Sequence, residues 1–197
     1  MKYTFVIRTF GLLLNHLVQK EVSNPNTIKK EYKEILLRAK DIGKHNIFIT
    51  SYALGAYYLA MCRKTNLSPI ENFEILNQGI QNSKIFKLFL GNANSYLSTK
   101  QMSKRKSMAK ESHKRKYQND WVWDVIDPDN TYDGGYNYYE CGICKMFKEE
   151  NALDLVSYVC KLDYGMFDMI GITLVRTKTL ADQDALCDFR FIIQKNK

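Results

Sequence analysis

The stretch that decides the fold is residues 141–191, CGICKMFKEENALDLVSYVCKLDYGMFDMIGITLVRTKTLADQDALCDFRF. It ends in two runs rich in β-branched and aromatic residues, 172–179 and 186–193, joined by a turn at 180–185. The last run alternates. Cys187, Phe189 and Phe191 fall on one face and Asp188 and Arg190 on the other, the pattern of a strand with one face on a core or pocket. Working outward, 142–150 and 151–167 read as helical pieces. Before them, 121–126 and 136–141 read as strands separated by the loop-forming DPDNTYDGG of 127–135.

Everything N-terminal to this reads as helix. Residues 1–22 form one apolar segment. Residues 26–42 carry Ile28, Tyr32, Ile35, Leu36, Ala39 and Ile42 at steps of three and four, with Gly43 placed to end the helix. Residues 47–63 have almost no polar face, which predicts a central, buried helix. Ser68, Pro69 and Glu71 spell a capping-box start for a helix to about Gln78, and 83–97 reads as one further helix burying Ile85, Phe86, Leu88, Phe89 and Leu90. Helices first and strands last predict an α+β domain: a helical half packed on a C-terminal antiparallel sheet of about four strands. The expected organisation is a single domain over 1–197, with 1–99 helical, 100–117 a basic connector or helix, and 118–197 the sheet part that carries the site.

A chain of 197 residues with 45% hydrophobic residues and 13% aromatics can bury a real core, which excludes a disordered protein. Five cysteines is an odd number without the spacing of a secreted disulfide scaffold, so they are read as reduced thiols in a cytoplasmic protein. The N-terminal apolar run is broken by Arg8, Asn15 and His16 and has no small-residue cleavage site after it. It is read as a helix that packs on the domain or on a second copy in a homodimer, not as a signal peptide or a membrane span.

The net charge of +8 is concentrated. Residues 100–116 hold eight lysines and arginines against Glu111 alone, leaving the remainder near neutral. A solvated helix face is the first reading of that segment. A positive rim that draws in an anionic substrate is the second, and a nucleic-acid surface the third. The third is weakest: Tyr117 and Trp121 stand only at the end of the run, so aromatics are not interleaved with charge.

The candidate chemistry sits in the quoted stretch. Cys160 and Asp163 are three apart on one helical side with Val156 and Phe167, and a carboxylate among apolar groups is a candidate general acid or base. Asp163 could equally cap a turn before Gly165. Cys141 and Cys144 form a CxxC where a strand meets a helix, a position that favours a thiolate. Cys187 reads as a small buried hydrophobe or a pocket thiol. A zinc site could be written through the four cysteines, but the second CxxC of a zinc ribbon is missing, so no metal is expected and no cofactor is assigned. The histidines, His16, His45 and His113, lie far from these thiols in sequence.

These residues also carry a resemblance. Cys141, Cys160-Lys-Leu-Asp163-Tyr164, Arg176-Thr-Lys-Thr-Leu-Ala181 and Cys187-Asp-Phe-Arg-Phe191 resemble the L-2-amino-thiazoline-4-carboxylic acid hydrolase family. The resemblance implies hydrolytic ring opening of a small cyclic C=N compound towards a carbamoyl-cysteine. It places Cys141, Cys160, Asp163 and Cys187 as catalytic candidates, and Arg176, Thr179, Asp188 and Arg190 as substrate-binding candidates. The sequence departs from the family at Asp182-Gln183-Asp184, where glycine usually follows Thr-Leu-Ala. The order of elements also looks like 4-vinyl-reductase and transport-particle ligand-binding folds, which makes a non-catalytic small-molecule-binding protein the alternative.

Overall fold

The computed structural model describes residues 5–43 and 46–194; His45 lies outside them. The helical half runs α1 (Phe5–Val18), α2 (Pro25–Arg38), α3 (Ile49–Lys64), α4 (Pro69–Gln81), α5 (Lys84–Leu90), α6 (Ala93–Tyr96) and α7 (Thr99–Ser112). The sheet half follows as β1 (Val122–Ile126), β2 (Gly135–Glu140), α8 (Gly142–Glu149), α9 (Val156–Met169), β3 (Ile172–Val175) and β4 (Cys187–Ile193). The four strands form one antiparallel sheet in the order β1-β2-β4-β3. The α+β architecture expected from the sequence is the one found.

The thin polar face of α3 has the expected consequence. Every residue from Tyr52 to Met61 is buried, and α3 is the axis against which α1, α2, α8 and α9 pack. The start of α4 is fixed as its sequence dictates: the Glu71 amide donates to Ser68 Oγ, and the Ser68 amide donates to the Glu71 carboxylate at 2.7 Å. The helix then continues past Gln78 to Gln81.

Three expectations are corrected. Helix α2 stops at Arg38, with Ala39 already extended, four residues short of Ile42. The Asp41 carboxylate instead accepts the Gly43 amide at 2.9 Å, a local turn that competes with the helix, and Ile42 is buried without being helical. The single helix over 83–97 is two, broken at Gly91, which adopts φ 83 where a side chain would be strained. Of the five residues expected to be buried there only Phe86 is. Ile85, Leu88 and Phe89 are 64%, 84% and 59% exposed. Strand β3 ends at Val175 rather than 179, and the chain leaves the sheet at Arg176.

The turn between β3 and β4 is closed by its own side chains. The Asp184 carboxylate accepts the Thr179 amide at 2.8 Å, and Gln183 adopts the left-handed conformation (φ 67, ψ 18) that side chains rarely take.

Candidate functional site

A cavity of about 330 Å³ lies where the helices meet the inner face of the sheet. Aromatic rings form much of its wall. Phe48 packs on Trp121 (centroids 4.9 Å apart) and Tyr138, Tyr138 on Phe189 (5.0 Å), and Phe189 on Phe167. These residues reach one place for simple reasons of period. Tyr138 and Phe189 sit on the inner side of neighbouring strands, and Phe167 sits on the side of α9 that carries Cys160 and Asp163.

One charged pair stands in this apolar wall. Arg176 Nη1 donates to Asp163 Oδ2 at 3.0 Å, and Arg176 Nη2 donates to the Cys160 carbonyl at 3.0 Å. The guanidinium lies 5.1 Å above the Phe189 ring and 4.9 Å from that of Tyr164, with its side chain only 5% exposed. It gets there because β3 ends one residue earlier, so Arg176 turns under α9 instead of continuing the sheet. The Asp163 side chain is 28% exposed and lines the cavity; its second oxygen has no donor among the described residues. Desolvation dominates its titration and raises its pKa to about 6, although Arg176 pulls the other way through charge and hydrogen bond. Helix α9 runs on through Gly165 to Met169, so Asp163 caps no turn.

The thiols are arranged around this pair. Cys141, Cys160 and Cys187 all line the cavity, and all five cysteines are free. Cys141 sits at the N-terminus of α8, where the Ile143 and Cys144 amides favour a thiolate. The adjoining Cys144 thiol and burial outweigh them and push its pKa well up. Burial, then the Asp163 charge, raises Cys160, and burial raises Cys187. Cys187 Sγ accepts the Leu180 amide at 3.2 Å and donates to Thr179 Oγ1 at 3.6 Å. The cavity therefore holds thiols, not thiolates, beside one carboxylate that titrates near neutrality.

Not every candidate from the sequence comes to this place. Thr179 shapes the turn, its hydroxyl accepting the Ala181 amide. Asp188 faces the other side of the sheet, where its carboxylate accepts the Thr177 and Lys178 amides and the Thr177 hydroxyl. Arg190, also on that side, donates to Asn137 Oδ1 and to the carbonyls of Tyr136 and Phe189. Two cavity residues were legible only as part of a charge run: Lys104 and Arg105, brought to the wall by α7. Arg105 is engaged, donating to the Tyr96 carbonyl at 2.5 Å and stacking 3.9 Å over the Tyr96 ring. Lys104 is exposed and forms no ion pair with any described residue. The contributions of Phe48, Trp121 and Tyr138 had no signal in sequence beyond being aromatic.

Among the described residues no group of three or more His, Cys, Asp or Glu side chains is placed to hold a metal ion. No helix among them is long and apolar enough to cross a membrane.

Fold and site together define an α+β protein with a largely apolar cavity and a carboxylate–guanidinium pair set into its wall. The sequence model of the L-2-amino-thiazoline-4-carboxylic acid hydrolase family matches residues 46–191, and the chain belongs to that family. No curated protein and no solved structure matches the chain.

Proposed function

We propose that this protein is a hydrolase that opens a small cyclic C=N compound of the 2-amino-thiazoline carboxylate type. The observation that carries the reading is the placement of Asp163: a carboxylate on the cavity wall, held by Arg176 through one oxygen with the other unpaired, in a member of this family. Its pKa of about 6 leaves it mostly ionised at neutral pH yet basic enough to accept a proton, the compromise a general base needs.

In the proposed reaction Asp163 takes a proton from water as the water oxygen bonds to the amidine-like ring carbon. The C=N electron pair moves onto the ring nitrogen, which takes the proton from Asp163. The resulting tetrahedral adduct collapses: Asp163 takes the hydroxyl proton as C=O forms, the ring carbon–sulfur bond breaks, and that proton passes from Asp163 to the leaving sulfur. The sum is substrate plus one water giving a carbamoyl-cysteine. Arg176 fixes the orientation of the carboxylate. Lys104 at the rim supplies the cation for the substrate carboxylate, a role for which Arg190, engaged on the outer face, is not available. The raised thiol pKa values favour water over a cysteine as the attacking group, with Cys141, Cys160 and Cys187 lining the pocket.

The test is incubation of purified protein with L-2-amino-thiazoline-4-carboxylate, following loss of the ring and appearance of carbamoyl-cysteine, beside the Asp163→Asn variant. Product from wild type only is the expected result. Full activity in Asp163→Asn defeats the mechanism. Tight binding without turnover by wild type favours a non-catalytic binding protein, the reading to which the apolar wall lends most weight.

A further inference from the structure

The cavity is larger than the head group assigned to it. At about 330 Å³ it falls in the range that holds drug-sized ligands. A 2-amino-thiazoline carboxylate has only roughly nine non-hydrogen atoms, well below that class. Part of the surplus space has one chemistry. Asp163, Arg176 and the three thiols come from α8, α9, β4 and the residue after β3. On the side built by the helical half, Lys104 and Arg105 of α7 and Thr50 and Ser51 of α3 supply polar groups, but Phe10 of α1, Leu54 of α3, and Phe86, Phe89 and Leu90 of α5 form a wholly apolar stretch of wall. Phe10, Phe86 and Phe89 form a ring cluster of their own with centroids 5.9–6.2 Å apart.

Helix α5 adds an apolar lip to that side. It is seven residues long, bounded by Ser83 and Gly91, and it leaves Ile85, Leu88 and Phe89 in solvent while Phe86 and Phe89 face the cavity. Scattered exposed apolar residues are ordinary, but three on one short helix at the wall of an apolar cavity form a patch of the kind that marks a ligand groove.

We propose that the natural substrate is amphipathic: a compact polar head at Asp163 and Arg176, and an aryl or alkyl substituent that fills the space between Phe10, Leu54 and Phe86 and leaves past Phe89. The chemistry of the head rests on the hydrolase reading; the tail rests on the cavity alone.

Three probes separate the two. They are 2-amino-thiazoline-4-carboxylate, its N-benzyl derivative, and phenylhexanoate, which keeps a carboxylate and a tail without the ring. Binding is followed by tryptophan fluorescence, since Trp121 lines the cavity, and turnover by product formation. The expected result is binding of the N-benzyl compound about tenfold or more tighter than the parent, from burial of the added apolar surface. In Phe89→Ser, a change at a solvent-exposed ring, that advantage falls to about twofold or less. Equal or weaker binding of the N-benzyl compound overturns the proposal, and turnover of the parent in the same experiment leaves the hydrolase reading standing. An advantage that survives Phe89→Ser undiminished overturns the assignment of the tail to this side. Tight binding of the N-benzyl compound and of phenylhexanoate, with no turnover of either ring compound, supports the amphipathic ligand and defeats the hydrolase reading instead.

Discussion

The buried carboxylate Glu31 and the half-buried carboxylate Asp163 both lie against arginine, and their titrations move in opposite directions. Glu31 on α2 meets Arg63 at 3.2 Å, Lys64 at 3.1 Å and Arg38 at 3.5 Å, in a cluster that also takes in Glu150 after α8. Burial works against its charge, but hydrogen bonds and charge from Lys64 and Arg63 prevail, and its pKa is lowered. Asp163 has a single cation, Arg176, in an apolar wall, and there burial prevails and its pKa is raised. The count of cations against the cost of desolvation decides the sign. The Glu31 cluster ties α2, α3 and the end of α8 together and keeps its proton off. The Asp163 pair leaves a carboxylate that can exchange a proton near neutral pH.

The largest effect expected is on turnover. Asp163→Asn removes the proposed base while keeping an acceptor for Arg176, and should lower kcat/KM by about a hundredfold to ten-thousandfold with the thermal melt shifted by no more than a few degrees. A variant that loses activity only because it unfolds would erase the contrast with Glu31.

Glu31→Ala leaves Arg63 and Lys64 without their shared partner. It should cost about 3 kcal/mol in urea denaturation while leaving the Asp163 titration where it is. A cost below about 1 kcal/mol would mean that the cluster behaves like an ordinary surface pair.

The contrast sharpens with Arg176→Gln. The guanidinium is what holds the Asp163 pKa down to about 6, so its removal should move the carboxyl titration, followed by carbon-detected NMR, to higher pH. A downward move would break the comparison.

The gentlest test is pH. As a base Asp163 should give kcat/KM that rises with pH through about 6. Its stability effect has the opposite sign to that of Glu31. A carboxyl whose folded pKa is raised favours the folded state while protonated, so stability falls as pH climbs from about 4 through 6. Glu31, with its pKa lowered, contributes stability that is present above its unfolded pKa and lost as pH falls below it. Wild type and Asp163→Asn compared between about pH 4 and pH 7 should differ by that slope.

Much of this was legible in sequence, and for local reasons. The Ser68–Glu71 capping box, the period of α3, the alternation of Cys187 to Phe191 and the i, i+3 placement of Cys160 and Asp163 depend on neighbours a few residues away, where covalent geometry fixes what meets. The errors share a cause as well. Periodicity alone carried α2 through to Ile42 and fused α5 with α6, because a turn made by Asp41 or a positive φ at Gly91 competes with helix at single residues that period does not weigh. It also put Leu88 and Phe89 inside, where the structure leaves them at an apolar lip.

By itself the sequence determined the α+β class and the antiparallel sheet, since these follow from periods of two and 3.6 and from turn residues, and it picked out the segment whose carboxylate and three thiols line the cavity. Only the tertiary structure decided which charges do what. It brought Arg176 under α9 to Asp163 and carried Lys104 to the cavity. The Cys144 thiol and burial push the Cys141 pKa up, and burial at the cavity raises those of Cys160 and Cys187 and takes that of Asp163 to about 6. Those outcomes depend on desolvation and on partners 13 residues or more away, as for Arg176 and Asp163, and no local pattern encodes them.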